Sequence, residues 1–243
     1  HVEIYRDPTR HFAPDAWTTR RARDIFCFIA TSRFRRVDKD ILIDTFWADS
    51  EIEVIEKNFH PTISHIRKAL NSRQTFKQNF LLFRDGAYQL NPEISYSIDT
   101  EEFENQILEA EKAKRENDAE NLRGSLEAAH ALYRGDFMAG VYEAWAEERR
   151  AYYFEQNLRV LNGLAKIFFK EKVWIKALKF SNEILKADPF REDAHRLIMK
   201  TFAAQGKRAK VKEQFETLQN LLKKELGIAP APETKKTFLE LLK

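Results

Sequence analysis

One cysteine in 243 residues excludes an internal disulfide. That residue, Cys27, sits in the apolar run Ile25-Phe26-Cys27-Phe28-Ile29, where a lone thiol reads as a small buried hydrophobe rather than a nucleophile. Such cysteine usage fits a reducing cytoplasm. No apolar stretch approaches the roughly 20 residues that a membrane-spanning helix needs, and no secretory or transit pattern is visible at the start. Charge excess is also lacking, since 41 Lys and Arg against 38 Asp and Glu leave only +3. Chemistry-bearing motifs are missing as well. There is no Gly-x-x-x-x-Gly-Lys-Ser/Thr run to cradle phosphates and no His-Glu-x-x-His to hold zinc. His60 and His65 are five apart, and no nearby Cys or carboxylate completes a metal set with them. No nucleophile, base and orienting residue cluster at readable spacing. The sequence therefore predicts no enzyme, no cofactor and no metal.

What is present is an ordinary globular composition, 43% hydrophobic and 33% charged, long enough for two cores. The small charge excess is placed unevenly. Residues 1–92 hold 15 of the Lys and Arg against 12 of the Asp and Glu, and residues 93–243 hold 26 of each. A local basic face matters more to nucleic-acid binding than a high total, so this asymmetry permits such binding without diagnosing it. His1 opens directly on the strand-like run Val2-Glu3-Ile4-Tyr5, so the sequence reads as part of a longer protein.

Patterning divides the chain at the same place. Val2–Tyr5 and the region of Phe12 read as strands about the turn-forming Asp7-Pro8-Thr9. Thr18 or Thr19 caps a helix to about Ala30, with Ile25, Phe26 and Ile29 on one face. Asp38 offers an N-cap to a short helix carrying Ile41, Leu42 and Phe46. Phe59, Ile63, Ile66 and Leu70, spaced four, three and four apart, form the single apolar stripe of a third helix. Phe80–Phe83 and Ala87–Leu90 flank Arg84-Asp85-Gly86, and Asp-Gly between strand-like runs signals a hairpin. Asn91-Pro92 closes this unit.

Beyond Thr100 the pattern is helical throughout, over 101–116, 119–133, 142–170, 174–187, 192–204, 207–226 and 233–242. Leu164, Phe168 and Ala177 recur as Ile198, Phe202 and Val211, a repeat of about 34 residues. Helix, short turn and helix with small residues at the crossing is the tetratricopeptide pattern, whose units stack because neither pair buries its apolar face alone. The expected fold is mainly α: a winged helix-turn-helix with flanking β-hairpins over 1–92, then an all-α helical-repeat domain over 93–243.

Several ordered motifs now resemble one family, the bacterial transcriptional activator domain proteins of the antibiotic-regulatory-protein type. Trp17 with Arg20-Arg21-Ala22 is similar to its first helix, and Val37–Leu42 leading to Phe46-Trp47-Ala48-Asp49 to its second. Ile63-Ser64-His65-Ile66-Arg67-Lys68-Ala69-Leu70 resembles its recognition helix, and Gly86–Asn91 its wing. Ile98–Phe103, Tyr133-Arg134-Gly135-Asp136-Phe137, Trp145 and Glu148-Arg149 resemble the activator domain. The resemblance implies a transcription activator whose winged helix is of the response-regulator output type and binds head to tail on direct repeats. Two departures stand out. The family's winged helix opens with one more strand than this sequence shows, so His1 is expected to lie just after the missing strand, and Pro61 falls inside the expected recognition helix.

With the apolar stripe turned inward, a step of about 100° per residue turns Pro61, Ser64, His65 and Lys68 outward. Lys57 joins them if the helix extends that far, with Pro61 otherwise marking its start or a kink. Such a face suits the major groove, whose base pairs present distinct donor and acceptor patterns; a solvated surface has the same composition. Arg84 at the wing tip, with Arg73 and Lys77 before it, suits contact with phosphate or the minor groove, or the protection of a sheet edge. Arg20 and Arg21 stand open between phosphate contact and plain surface. Trp145 and Trp174 read as core of the helical half. The expected partners are double-stranded DNA and, through the helical domain, the transcription machinery or a regulatory protein, with no membrane. The protein is expected to be a monomer off DNA and paired head to tail on it. The alternative is an interaction scaffold whose winged helix no longer binds DNA.

Overall fold

The computed structural model describes residues 5–7, 10–11, 17–71 and 79–243. They divide into two compact units, each assembled from two separate stretches of chain. Unit 1 comprises the described residues up to Glu102 together with Gly135–Arg150, and unit 2 comprises Phe103–Arg134 with Ala151–Lys243.

Unit 1 opens on a hairpin of β1 (Tyr5–Asp7) and β2 (Arg10–His11), with Tyr5 opposite His11. The anticipated strand residues Val2–Ile4 and the region of Phe12 lie outside the described residues. Helix α1 (Arg20–Ala30) starts as the sequence predicts: Thr19 is its N-cap, and the Thr19 hydroxyl accepts from the Ala22 amide at 3.2 Å. Ala22, Ile25 and Ile29 on its inner face are fully buried. A 3₁₀ turn (Arg33–Arg35) leads into β3 (Arg36–Asp38), a strand the sequence did not suggest. With Val37 its single buried residue, it is too short to display an alternation.

Helix α2 (Lys39–Trp47) follows at once, with Asp38 at its N-cap position but making no side-chain cap bond. Instead the Lys39 amide donates to the Gly86 carbonyl at 2.9 Å, which fastens the start of α2 to a turn of the wing. Helix α3 (Ile52–Asn71) comes next, then strands β4 (Leu81–Arg84) and β5 (Ala87–Leu90). The three strands form one antiparallel sheet in the order β3-β5-β4. The β4–β5 turn is two residues long, with φ of +48° at Asp85 and +75° at Gly86. Two positive φ values match the twist of the flanking strands, which is why Asp-Gly occupies this position.

The core of unit 1 joins Ile25, Ile29, Leu42, Phe46, Phe59, Ile63, Ile66, Leu81 and Tyr88 to Met138, Val141 and Trp145 from the returning stretch. Trp145 packs edge-on to Phe28, ring centroids 5.2 Å apart, and lies 6.0 Å from Phe46. Helical spacing places Trp145 in the core of the helical half; it is a core residue, but of unit 1. Arg150 shapes this stretch by donating to the carbonyls of Phe137, Met138 and Val141, at 2.9, 2.9 and 2.6 Å. Arg149 donates to the hydroxyls of Thr31 and Ser32. Those hydroxyls in turn donate to the carbonyls of Cys27 and Phe28, so a cation closes the C-terminal end of α1.

Helices α4 (Asp99–Arg115), α5 (Ala119–Leu132), α6 (Ala144–Lys170), α7 (Trp174–Ala187), α8 (Glu192–Ala204), α9 (Arg208–Leu226) and α10 (Pro232–Leu242) follow the periodicity closely. In unit 2 the recurring Leu164, Phe168, Ala177, Ile198 and Val211 are all buried, as stacking of helix pairs requires. Phe168 stacks on Phe180 at 5.6 Å, and Phe215 on Phe238 at 4.0 Å. At the crossing of α5 and α6 a methyl group on Gly163 would stand 2.8 Å from Leu126, so the small residue sets the approach. Gly227, at φ +68°, ends α9 by donating to the Lys223 carbonyl. No helix among the described residues is long and apolar enough to cross a membrane.

Candidate nucleic-acid interface

Helix α3 carries five of the residues that the sequence reading proposes for a DNA interface. Its stripe of Phe59, Ile63, Ile66 and Leu70 is buried, none more than 7% exposed. Four apolar side chains on one face hold the helix against α1, α2 and the sheet, and so decide which face is left to solvent. On that outward face Lys57, Pro61, Ser64 and Lys68 are exposed and His65 is half-buried. The helix runs unbroken from Ile52 to Asn71, with Pro61 inside it. It therefore does not begin at Pro61, and Lys57 belongs to the same helix as Ser64 and Lys68.

The ring of Pro61 costs α3 one backbone bond, because Pro61 has no N–H to offer the Lys57 carbonyl. Side chains supply bonds around the gap. Thr62 Oγ1 donates to the Asn58 carbonyl at 2.7 Å, and Asn58 Nδ2 to the Val54 carbonyl at 2.8 Å. Thr62 is 8% exposed and escaped the sequence reading. A threonine following proline gives no periodic signal of its own.

The wing is tied to α3 and to the base of its own hairpin. Arg67 Nε donates to the Leu81 carbonyl at 3.4 Å. Asn91 is 5% exposed; its Nδ2 donates to the Asn79 carbonyl at 3.1 Å and its Oδ1 accepts from the Glu93 amide at 3.0 Å. The sequence marked Asn91 only as a closing turn residue. Burial raises the pKa of the Tyr88 hydroxyl, with Arg67 opposing, so that phenol stays neutral. Arg84 is exposed on the last residue of β4, beside the Asp85-Gly86 turn. Across the turn, Arg36 reaches the Asp85 carbonyl at 3.3 Å. Arg73 and Lys77 lie outside the described residues.

At the other side of α3, the Arg21 guanidinium lies 5.1 Å over the ring of Trp47, which itself packs 5.6 Å from Phe59. Arg20 and Arg21 are both exposed at the start of α1. His60 is exposed and meets the Phe59 ring edge-on at 5.5 Å. No group of three or more His, Cys, Asp or Glu suited to a metal occurs among the described residues. The arrangement is thus an outward helical face of lysine, small polar and imidazole groups, fixed to a hairpin that ends in arginine.

Comparison with known proteins gives this arrangement its context. Residues 98–242 match the family model of the bacterial transcriptional activator domain. The regulatory protein AfsR of Streptomyces griseus is 25% identical over 192 residues, covering 79% of this chain and 19% of AfsR. AfsR of Streptomyces coelicolor is 24% identical over 191 residues with the same coverage, so the chain spans about a fifth of these relatives' length. Among solved structures, Mycobacterium tuberculosis EmbR in complex with a low-affinity phosphopeptide superposes with a TM-score of 0.79 at 17% identity. That match covers 92% of this chain and 59% of the EmbR chain. At such identity the likeness is one of fold, and it supports a winged helix joined to a helical-repeat unit.

Proposed function

Because the chain belongs to the bacterial transcriptional activator domain family, a family of transcriptional regulators, we propose that it acts by sequence-specific binding of double-stranded DNA. Helix α3 enters the major groove, with Ser64, His65 and Lys68 reaching base edges or flanking phosphates and Lys57 and Pro61 lining the approach. Arg84 supports the wing on phosphate, together with Arg73 and Lys77. The observation that carries this reading is the one-sidedness of α3: four buried apolar residues on one face, and on the other four exposed site residues with His65 half-buried beside them.

The helical-repeat half, 93–243 by sequence pattern, meets the transcription machinery or a regulatory protein. The paired stretch 135–150 contributes its aromatic core to the DNA-binding side. Direct repeats suit the absence of heptads that would enforce a two-fold dimer, with the protein a monomer off DNA and cytoplasmic. Selection from a random duplex pool followed by footprinting tests the proposal. A selected direct repeat, protected at salt-dependent affinity, supports it; no enrichment by the folded chain refutes it.

A second reading rests on the first turns of α3. There Ile52 and Val54 are 74% and 43% exposed, and Glu51, Glu53 and Glu56 are exposed beside them. Carboxylates repel a phosphate backbone, and exposed aliphatics favour a protein surface. On this reading the winged helix is a protein-interaction module, and the same selection returns no sequence.

A further inference from the structure

Alternate helices of unit 2 neighbour one another directly. The Tyr153 hydroxyl on α6 donates to Glu104 on α4 at 3.0 Å, Asn162 Nδ2 on α6 to Asp193 on α8 at 2.9 Å, and Arg196 on α8 to the Thr234 hydroxyl on α10 at 2.9 Å. Helices α5, α7 and α9 pack against this row, α5 on α6 at Gly163 and α7 and α9 on α8. The row keeps one face toward solvent. On α6 that face carries Tyr152, Arg159, Lys166 and Lys170, spaced seven, seven and four, and on α4 Leu108, Lys112 and Arg115, spaced four and three. Lys200 joins them from α8.

Lys112, Arg115, Arg159, Lys166, Lys170 and Lys200 are all exposed, and none of them has an ion-pair partner among the described residues. Most carboxylates of the face are engaged. Arg191 holds Glu155 at 3.4 Å and Asp193 at 3.3 Å, and Arg196 holds Glu233 at 3.4 Å. Exposed Lys236 and Glu240 stand four apart on α10 and offset one another. Glu104 and Glu111 remain, one turn to either side of Leu108. The pKa of the Tyr152 hydroxyl is raised by burial first and then by these two carboxylates, with Arg159 opposing, so the stripes of α4 and α6 adjoin at Tyr152. The face therefore has two different ends. Leu108 and Tyr152, 60% and 47% exposed, lie with the two carboxylates at one end. Lys166, Lys170 and Lys200 lie at the other, with Lys166 about 21 Å along α6 from Tyr152 at the helical rise.

We infer that this face receives a segment of a partner protein whose apolar residues cover Leu108 and Tyr152 and whose aspartates and glutamates reach Lys166, Lys170 and Lys200. The inference rests on the reading of the helical half as a protein-contact unit, and it gives that contact a place and a chemistry. Complementarity names the occupant. Unpaired cations call for anionic groups, and exposed aliphatic and aromatic side chains gain by leaving water. Duplex DNA matches the face less well, because its charge is evenly spaced. Phosphates laid over the lysines would bring others to Glu104 and Glu111, where like charges repel, and Leu108 would gain no apolar partner. A segment with its acidic residues confined to one end avoids that repulsion. Spanning the two ends takes about seven residues in extended form or about fourteen as a helix.

Selection of displayed random peptides of about fifteen residues against the full chain tests the inference. The enriched peptides are expected to carry apolar residues toward one end and Asp or Glu toward the other. Their affinities, measured by fluorescence anisotropy on synthetic copies, are expected to fall with salt. Lys166→Glu combined with Lys200→Glu is expected to weaken them at least about tenfold. Lys212→Glu combined with Lys223→Glu makes the same charge change at exposed positions of α9 and is expected to leave them unaltered. Circular dichroism verifies both folds. Enriched peptides without acidic residues, or acidic ones that bind both double variants alike, overturn the inference and leave the helical half a protein-contact unit. No enrichment at all overturns that reading as well. A random-sequence duplex whose affinity falls about tenfold in the first double variant but not in the second assigns the face to phosphate, and overturns the inference in favour of DNA.

Discussion

The guanidinium of Arg149 lies 5.4 Å over the ring of Phe28, the same ring against which Trp145 packs edge-on. A stretch distant in sequence thus completes the aromatic core behind α3.

Replacing Trp145 with Ala is expected to destabilise unit 1 by about 3–5 kcal/mol, the usual cost of removing a large buried aromatic. The helical repeats of unit 2 do not contain this residue and are expected to keep their own transition. Denaturant melts followed by near-ultraviolet dichroism for unit 1 and far-ultraviolet helicity for unit 2 measure the two effects. Loss of unit 2 with unit 1 intact would contradict this packing. By the same argument, a fragment ending at residue 92 is expected to be less stable than the full chain, since Phe28 and Phe46 lose Trp145.

Salt and substitution separate positioning from readout. If the outward face and wing neutralise phosphates, log affinity falls with log salt at a slope of about −0.9 for each phosphate contacted. Arg84→Ala is expected to weaken all sequences about equally, and substitutions at Ser64 or His65 to change the preference among sequences. Electrophoretic mobility shifts across a salt series and a panel of single-base variants measure both. A salt-independent affinity would refute the interface.

Pro61 gives an opposite pair of effects. Pro61→Ala restores an amide to an uninterrupted helix, and in a helix interior alanine is favoured over proline by up to about 3 kcal/mol. The melting temperature of unit 1 is expected to rise. If the exposed ring also meets DNA, operator affinity falls in the same variant. A stabilised protein with unchanged affinity would remove Pro61 from the contact set.

His195 makes unit 2 sensitive to acid. Its ring, 3% exposed, meets the Pro189 carbonyl at 3.1 Å through Nε2 and Gln214 Nε2 at 2.7 Å through Nδ1. With the amide donating to Nδ1, the ring is neutral and donates from Nε2 to Pro189. Burial lowers its pKa below the ordinary 6.5, against the opposing influence of Pro189, Glu192 and Asp193. The unfolded chain therefore binds the proton more readily, and the stabilising contribution is complete above 6.5 and declines as pH falls from there toward the lowered value. His195→Gln is expected to flatten this slope in melts of unit 2 between neutral and mildly acidic pH. An unchanged slope would assign the sensitivity elsewhere.

Cys27 is expected to resist thiol reagents until unit 1 unfolds. Burial pushes its pKa up to about 12, which leaves almost no thiolate at neutral pH. Labelling that tracks the unfolding transition verifies this, and rapid labelling of the native protein contradicts it.

Local signals in the sequence located most elements because those elements are local. Thr19 caps α1, Asp85-Gly86 closes the wing, and the spacing of Phe59, Ile63, Ile66 and Leu70 fixes the inner face of α3. Strand β3 was missed because its pairing with β5 is long-range and its three residues carry one buried side chain. The start of α3 stays open in the sequence because proline normally marks a first turn, and the bonds of Thr62 and Asn58 flanking Pro61 leave no periodicity. The placement of Trp145 was beyond pattern altogether. An apolar residue at helical spacing announces burial, not the body in which it is buried.

The return of residues 135–150 to unit 1 bears on the order of events at the ribosome. A chain emerging from its N-terminus ordinarily completes its first folding unit before the second is made. Here the first unit cannot close until Trp145 and Arg149 have been synthesised, after the whole of α4 and α5. Until then the faces of Phe28 and Phe46 that Trp145 covers stand open to other partners, a waiting period in which a nascent-chain chaperone has its clearest target. A polypeptide truncated between Leu90 and Trp145 carries every residue of α3 and still lacks part of the core behind it.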